Sequence, residues 1–194
     1  MAIISTIPES EASGLVAELY DSDLKSLGSV ASHTRVMAVN PEAMVAFENL
    51  VRAITASMDL RRYELVTLAA ARGMGSVHCR LAHGRKSLGV FDEGDLIAIA
   101  RDPATATALS AAEIAMMAFA EKVAVDPASM TDDDSRELRE LGFSDREIVD
   151  ITLAAAVRRY YSSALQALSV EVDAAPDLSV DLQRALLEGI DGGR

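Results

Sequence analysis

Leu65-Val66-Thr67-Leu68-Ala69-Ala70-Ala71, then Gly73-Met74-Gly75, then Ser76-Val77-His78-Cys79 with His83 beyond: the fold turns on how this stretch is read. Its first seven residues are apolar nearly all round. Alanine and leucine favour a helix, and a helix apolar on every side belongs in the middle of a core. The expected helix runs from about Leu60 to Arg72, and the glycines interrupt it. Ser76 then stands where an N-cap belongs and opens a second helix from Val77 to about Leu88, with Gly89 as its stop. One central helix followed by one that carries the only cysteine and two of the three histidines is the expected heart of the molecule.

Helical signals continue in both directions. Upstream, Leu15, Leu19 and Leu27 fit a helix over about Glu9–Leu27 with Gly28 as its stop, and Ser29–Asn40 reads as a connector of apolar character. Asn40-Pro41-Glu42 is a helix start, with Asn as cap and Pro in the first turn, and that helix should reach about Met58. Downstream, Asp92–Arg101 is a short helix ended near Pro103. Ser110 and Glu113 form a capping-box pattern for a helix through Val125, and Ser144 and Glu147 form another for a helix reaching about Val170. Thr131–Leu141 and Leu178–Leu187 complete the set, and the tail Asp191–Arg194 is expected to fray. No convincing strand is present, so the fold class is all-α, in one domain over residues 1–194. Thr67–Ala71 is echoed by Thr152–Ala156, which admits two similar helical halves. At that offset Ser163, Ala164 and Leu168 stand opposite His78, Cys79 and His83, so the second half would carry none of the chemistry.

Composition narrows the function classes. The net charge of −12 argues against nucleic acid and against an anionic membrane surface, since both need a basic footprint. No apolar run reaches the roughly 18–20 residues that span a bilayer. The start, Met1 to Glu9, has neither a basic segment nor a long apolar one. A lone cysteine cannot form an intrachain disulfide. A reducing cytoplasm is the expected location.

The chemistry concentrates between Glu64 and His83. Positions 76, 79 and 83 follow an i, i+3, i+7 pattern and share one helix face, so His83 lies within reach of the Cys79 sulfur, while His78 points elsewhere. Cys79 falls in the first turn of its helix, where free N–H groups and the helix dipole favour a thiolate; apolar neighbours favour the thiol instead. If the glycine break folds the two helices antiparallel, Glu64 and His83 end nearly level at about 1.5 Å rise per residue, and Glu64 could orient the imidazole. Taken singly these residues have ordinary readings: a small buried hydrophobe for Cys79, a capping or surface residue for His83, a solvated charge for Glu64. Arg61, Arg62, Arg72, Arg80 and Arg85 read more simply as ion-pair partners for the acidic excess than as an anion site. Met116 and Met117 read as core, and His33 stands apart in the connector. A metal site needs three or four ligands, and His78, Cys79 and His83 do not share a face, so neither a metal nor a cofactor is expected.

This window resembles the AhpD-like alkylhydroperoxidase and carboxymuconolactone decarboxylase family. Its redox-active branch shows a Glu, a Cys twelve residues on, then x-His-Cys, then a His four after the second Cys. Here the same spacing reads Glu64, Ser76, Val77, His78, Cys79, His83. Gly84 and Gly89 also look like the family. The Pro8-Glu9…Gly14…Tyr20 start, the Asn40-Pro41-Glu42 helix start and Gly142–Val149 resemble its peroxidase-related subgroup, so the likeness covers most of the chain. It implies an AhpD-like helical bundle assembled as a homo-oligomer, a trimer or hexamer. It implies a site in which Cys79 is the reactive thiol and Glu64, His78 and His83 relay protons. The departure is Ser76: serine cannot close a disulfide with Cys79, and an oxidised Cys79 would need an external thiol reductant. Ser76 would then hydrogen-bond to the oxidised sulfur or simply cap the helix.

Three functions follow as expectations. The first is a thiol peroxidase or antioxidant redox protein that reduces hydroperoxides through one thiol. The second is a non-redox enzyme acting on a small acidic lactone, as in carboxymuconolactone decarboxylation, with His78 or His83 as acid or base and an arginine on the substrate carboxylate. The third is an oligomeric family member that has lost catalysis.

Overall fold

The computed structural model describes residues 3–190; the tail expected to fray lies outside them. The described residues form ten α-helices and two single-turn 3-10 helices, and none of them is in a strand. Two compact units are present: Met1–Ala53 with Ala164–Ala174, and Ile54–Ser163 with Ala175–Arg194.

The first unit holds α1 (Gly14–Leu27), α2 (Ser32–Met37) and most of α3 (Pro41–Thr55). The helix expected from Glu9 begins as a single 3-10 turn, Glu9–Glu11, and α1 starts only after the extended residue Ser13. Gly28 ends α1 in the left-handed region, at φ +80°, where glycine costs least. The connector expected at Ser29–Asn40 contains α2. That helix carries no side-chain cap at Ala31 and has only six residues, so it lacks the start signal of longer helices; burial of Thr34 and Val36 holds it instead. Asn40 caps α3 as expected, its Oδ1 accepting from the Ala43 amide at 3.1 Å. The Tyr20 hydroxyl donates to the Ile7 carbonyl at 2.8 Å, which ties the extended N-terminal segment to α1.

The second unit is built around α4 (Leu60–Gly73), in which every residue from Glu64 to Ala71 is buried. It continues through α5 (Val77–Ser87), α6 (Glu93–Arg101), α7 (Ala111–Val125) and α8 (Asp132–Glu140), then most of α9 (Asp145–Ala167), and closes with α10 (Val180–Leu187). The Ser110–Glu113 box at α7 and the reciprocal Ser144–Glu147 bonds at α9 form as expected. Two glycines admit close helix packing. A Cβ on Gly73 would lie 2.6 Å from Val125 Cγ2 on α7, and one on Gly84 would lie 2.3 Å from Leu186 Cδ1 on α10. Met116 and Met117 are buried in the core of α7.

The echoed pentamers Thr67–Ala71 and Thr152–Ala156 lie on α4 and α9. Beyond them the two segments part: α4 stops at Gly73, while α9 runs on to Ala167 without a break. No helix of the described residues is long and apolar enough to cross a membrane.

Candidate functional site

Local chemistry fixes the α4–α5 corner. Asp59 caps α4 by accepting from the Arg62 amide at 2.8 Å. At the other end the Ser76 amide donates to the Ala71 carbonyl at 2.9 Å and the Gly75 amide to the Arg72 carbonyl at 3.0 Å. With Gly75 at φ +61°, this is a Schellman C-cap. The turn is therefore made at Gly75; Gly73 is the last residue of α4, kept small by α7. Ser76 stands at the N-cap of α5, and its carbonyl accepts from the Arg80 amide at 3.0 Å. Its hydroxyl, however, makes no capping bond, contrary to the expected capping serine. The residue is buried at 2% exposure.

The fold pairs Glu64 with His83. Glu64 Oε2 lies 2.7 Å from His83 Nδ1, and both residues are at most 3% exposed. Burial pushes the Glu64 carboxyl up to about 7, against the pull of Lys86 and Arg158. Burial, followed by the positive charges of Arg158 and Lys86, holds His83 well below its ordinary value. Below about pH 7 the carboxylic acid therefore donates to a neutral imidazole; above it the carboxylate accepts from Nδ1–H, and the other ring nitrogen carries no proton. Glu64 Oε1 has no protein partner. The Tyr63 ring meets His83 edge-on, with centroids 5.8 Å apart.

Cys79 is 3% exposed, and its sulfur faces α9. Ser162 Oγ lies 3.3 Å from Sγ, and Arg158 Nη1 donates to Sγ at 3.6 Å. The contacts that bond the sulfur thus come from Ser162 and Arg158, whereas His83, one turn along, is bonded to Glu64. Arg158 Nη2 donates to the Tyr63 hydroxyl at 3.1 Å, linking the sulfur side of the site to the imidazole side. Burial works against the Arg158 charge, but Cys79 and Tyr63 outweigh it and hold the guanidinium above its ordinary value. Arg158 Nε and Thr67 Oγ1 are buried without protein partners. His78 is half-buried on α5. Two surface clefts of about 450 and 300 Å³ are lined by other residues than Cys79, His83 and Glu64.

The arginines divide as follows. Arg61, Arg62, Arg72 and Arg85 pair with Glu113, Glu147, Glu121 and Asp177, which is the simpler reading of the sequence. Arg80 departs from it: at 1% exposure it donates to the carbonyls of Leu68, Ala100 and Leu186, joining α4, α6 and α10. Arg158, Ser162 and Tyr63 were not singled out by sequence reasoning. A signal for the first two exists on α9. Ile151, Ala154, Ala155, Arg158, Ser162 and Leu165 follow one buried helical stripe, and two polar residues interrupt it.

No protein-family model matches the chain, and no curated protein matches its sequence. Solved structures do match. An AhpD-core, uncharacterized peroxidase-related protein from Ralstonia eutropha JMP134 aligns with TM-score 0.77 and 18% identity, over 96% of this chain and 96% of that one. The debrominase Bmp8 aligns with TM-score 0.78 and 18% identity, over 95% of this chain and 97% of its own. An uncharacterized peroxidase-related protein from Silicibacter sp. TM1040 aligns with TM-score 0.66 and 19% identity, over 88% and 92%. At these identities the likeness establishes the fold, which is the all-helical fold of the AhpD core.

Proposed function

We propose that this AhpD-fold chain is a one-cysteine thiol peroxidase, reducing small hydroperoxides through Cys79. The observation that carries the proposal is the seat of the sulfur, a buried thiol held between a hydroxyl and a buried guanidinium. The guanidinium and the hydroxyl both reach the sulfur, and the thiolate is the nucleophile. The thiolate attacks the terminal oxygen of ROOH and the O–O bond breaks. The departing alkoxide takes the hydroxyl proton, leaving ROH and a Cys79 sulfenate. Sulfur is oxidised by two electrons and the peroxide is reduced. With Ser76 in place of a second cysteine, an external thiol plus a proton displaces the oxygen as water to form a mixed disulfide, and a second external thiol releases Cys79. The Glu64–His83 pair exchanges a proton near neutral pH and supplies the relay; His78 and Ser76 complete the motif's polar positions. Support comes from the fold shared with solved structures whose names read peroxidase-related. A reducing cytoplasm and a homo-oligomer, trimer or hexamer, belong to the same proposal, as do independence from any metal or cofactor and the absence of a nucleic-acid or membrane partner.

The test is consumption of an organic hydroperoxide with a small thiol, comparing wild type with Cys79→Ser. Turnover in wild type and none in the variant is expected; equal rates end the proposal. One observation favours a second function. The Glu64–His83 bond forms without the sulfur, and the debrominase Bmp8 carries another chemistry on this fold. A non-redox enzyme acting on a small acidic lactone would lose turnover in His83→Ala and keep it in Cys79→Ser.

A further inference from the structure

Resting on the peroxidase function proposed above, one question remains about the site: what holds the oxidised sulfur when the position of the second cysteine is serine. In a two-cysteine cycle the oxidised sulfur is captured at once as a disulfide. Here Ser76 cannot do so, and a sulfenate exposed to more peroxide proceeds to sulfinic acid, which ordinary thiols do not restore. The residues around Cys79 offer a different device. Arg158 reaches the sulfur with Nη1 and the Tyr63 hydroxyl with Nη2, while its Nε–H is buried without a protein partner. At 6% exposure the guanidinium has little access to water. It is a donor group with more N–H than acceptors, fixed against the reacting atom. Ser162 Oγ on the same sulfur is a second group able to donate.

We propose that Arg158 is a catalytic residue that takes over the part of the missing cysteine: it holds the Cys79 thiolate for attack and then holds the sulfenate oxygen with its N–H groups until an external thiol arrives. The oxygen delivered to sulfur carries the negative charge left after ROH departs, so it meets a charge-assisted donor already in place. Tyr63 acts through Arg158 as a positioning residue, since its hydroxyl anchors Nη2.

Arg158→Met and Arg158→Lys separate these functions. Three quantities are measured at neutral pH on the whole chain: alkylation of Cys79 by iodoacetamide, loss of the thiol to an organic hydroperoxide, and the yields of dimedone-trapped sulfenic acid and of sulfinic acid by mass spectrometry. Circular dichroism reports folding. In Arg158→Met both alkylation and peroxide oxidation should fall on the order of tenfold to a hundredfold, the size of a lost hydrogen bond to a charged group. In Arg158→Lys the positive charge persists, so alkylation stays near wild type. The point-like ammonium is a poorer oxygen cradle, and sulfinic acid should appear at a lower peroxide excess than in wild type. A folded Arg158→Met with wild-type rates overturns the inference and leaves the peroxidase function standing. Should Arg158→Met fail to fold, Arg158→Lys decides, and wild-type sulfenic persistence in it overturns the inference. A wild-type protein that alkylates but forms no sulfenic acid overturns the peroxidase function, and this inference with it.

Discussion

Two arginines are buried in the second unit, and they are used in opposite ways. Arg80 spends its donors on three backbone carbonyls at the junction of α4, α6 and α10. Burial there lowers its guanidinium to about 10, which still leaves it charged at neutral pH. Arg158 meets a thiol and a phenol instead, and these raise it above its ordinary value. One environment offers fixed dipoles whose protonation never changes. The other offers a thiol and a phenol, groups that can gain and lose protons. A buried cation facing carbonyls joins helices; a buried cation facing a thiol prepares chemistry.

The largest expected effect is on the structural side. Arg80→Met leaves three carbonyls at a buried junction without their donor and should cost about 3–5 kcal/mol of stability, since each buried acceptor left unsatisfied costs about 1–3 kcal/mol. Urea unfolding checks it; a loss of about 2 kcal/mol or less would place Arg80 and Arg158 in the same class.

Next comes the acid pair beside Arg158. Unfolded, Glu64 and His83 together hold two protons below 4.5, one between 4.5 and 6.5, and none above; folded, the pair keeps one proton up to about 7. From 4.5 to 6.5 both states hold one proton, so this pair adds no pH dependence to stability there. In Glu64→Gln the folded site holds none while unfolded His83 still holds one below 6.5. Relative to wild type, stability of the variant should therefore gain a slope of about 1.4 kcal/mol per pH unit, rising with pH between those values. Parallel stability–pH curves for the two proteins would show that the pair does not share a proton.

A smaller effect tests the Arg80 junction through its packing. Gly84→Ala presses on Leu186, whose carbonyl accepts from Arg80 Nε at 2.7 Å, and should cost about 1–3 kcal/mol. Thermal unfolding reads it, and Cys79 reactivity per folded molecule should not change. Arg158→Met should cost about 2 kcal/mol of stability, about 1 kcal/mol for each of the two bonds lost to sulfur and phenol. A loss as large as that of Arg80→Met would remove the contrast between the two residues.

Much of this was legible in the residues. Asn40, Ser110 and Ser144 announce their helices because a cap is a local event, set by residues three apart. The apolar run of α4 announced the central helix for the same reason. Helix α2 has neither a side-chain cap nor length, and its stability comes from burial that a local pattern does not display. Glu64 and His83 were foreseeable as a level pair because a tight turn and a fixed rise per residue determine where they meet. Arg158 and Ser162 were not, because they lie about eighty residues from Cys79 in sequence and reach it only through tertiary packing. Their sole mark is the polar interruption of an apolar stripe on α9. Ser76 misled in a limited way: it occupies the cap position, but its hydroxyl is not used as a cap.

The proposed function stands on Cys79 being a peroxide-reactive thiol. Its most direct test treats the whole protein with an organic hydroperoxide in the presence of dimedone and weighs the peptide that contains Cys79. A dimedone adduct on Cys79 in wild type, and no adduct in Cys79→Ser, is the expected result. An unmodified Cys79 at peroxide concentrations that oxidise a free low-molecular-weight thiol would contradict the claim.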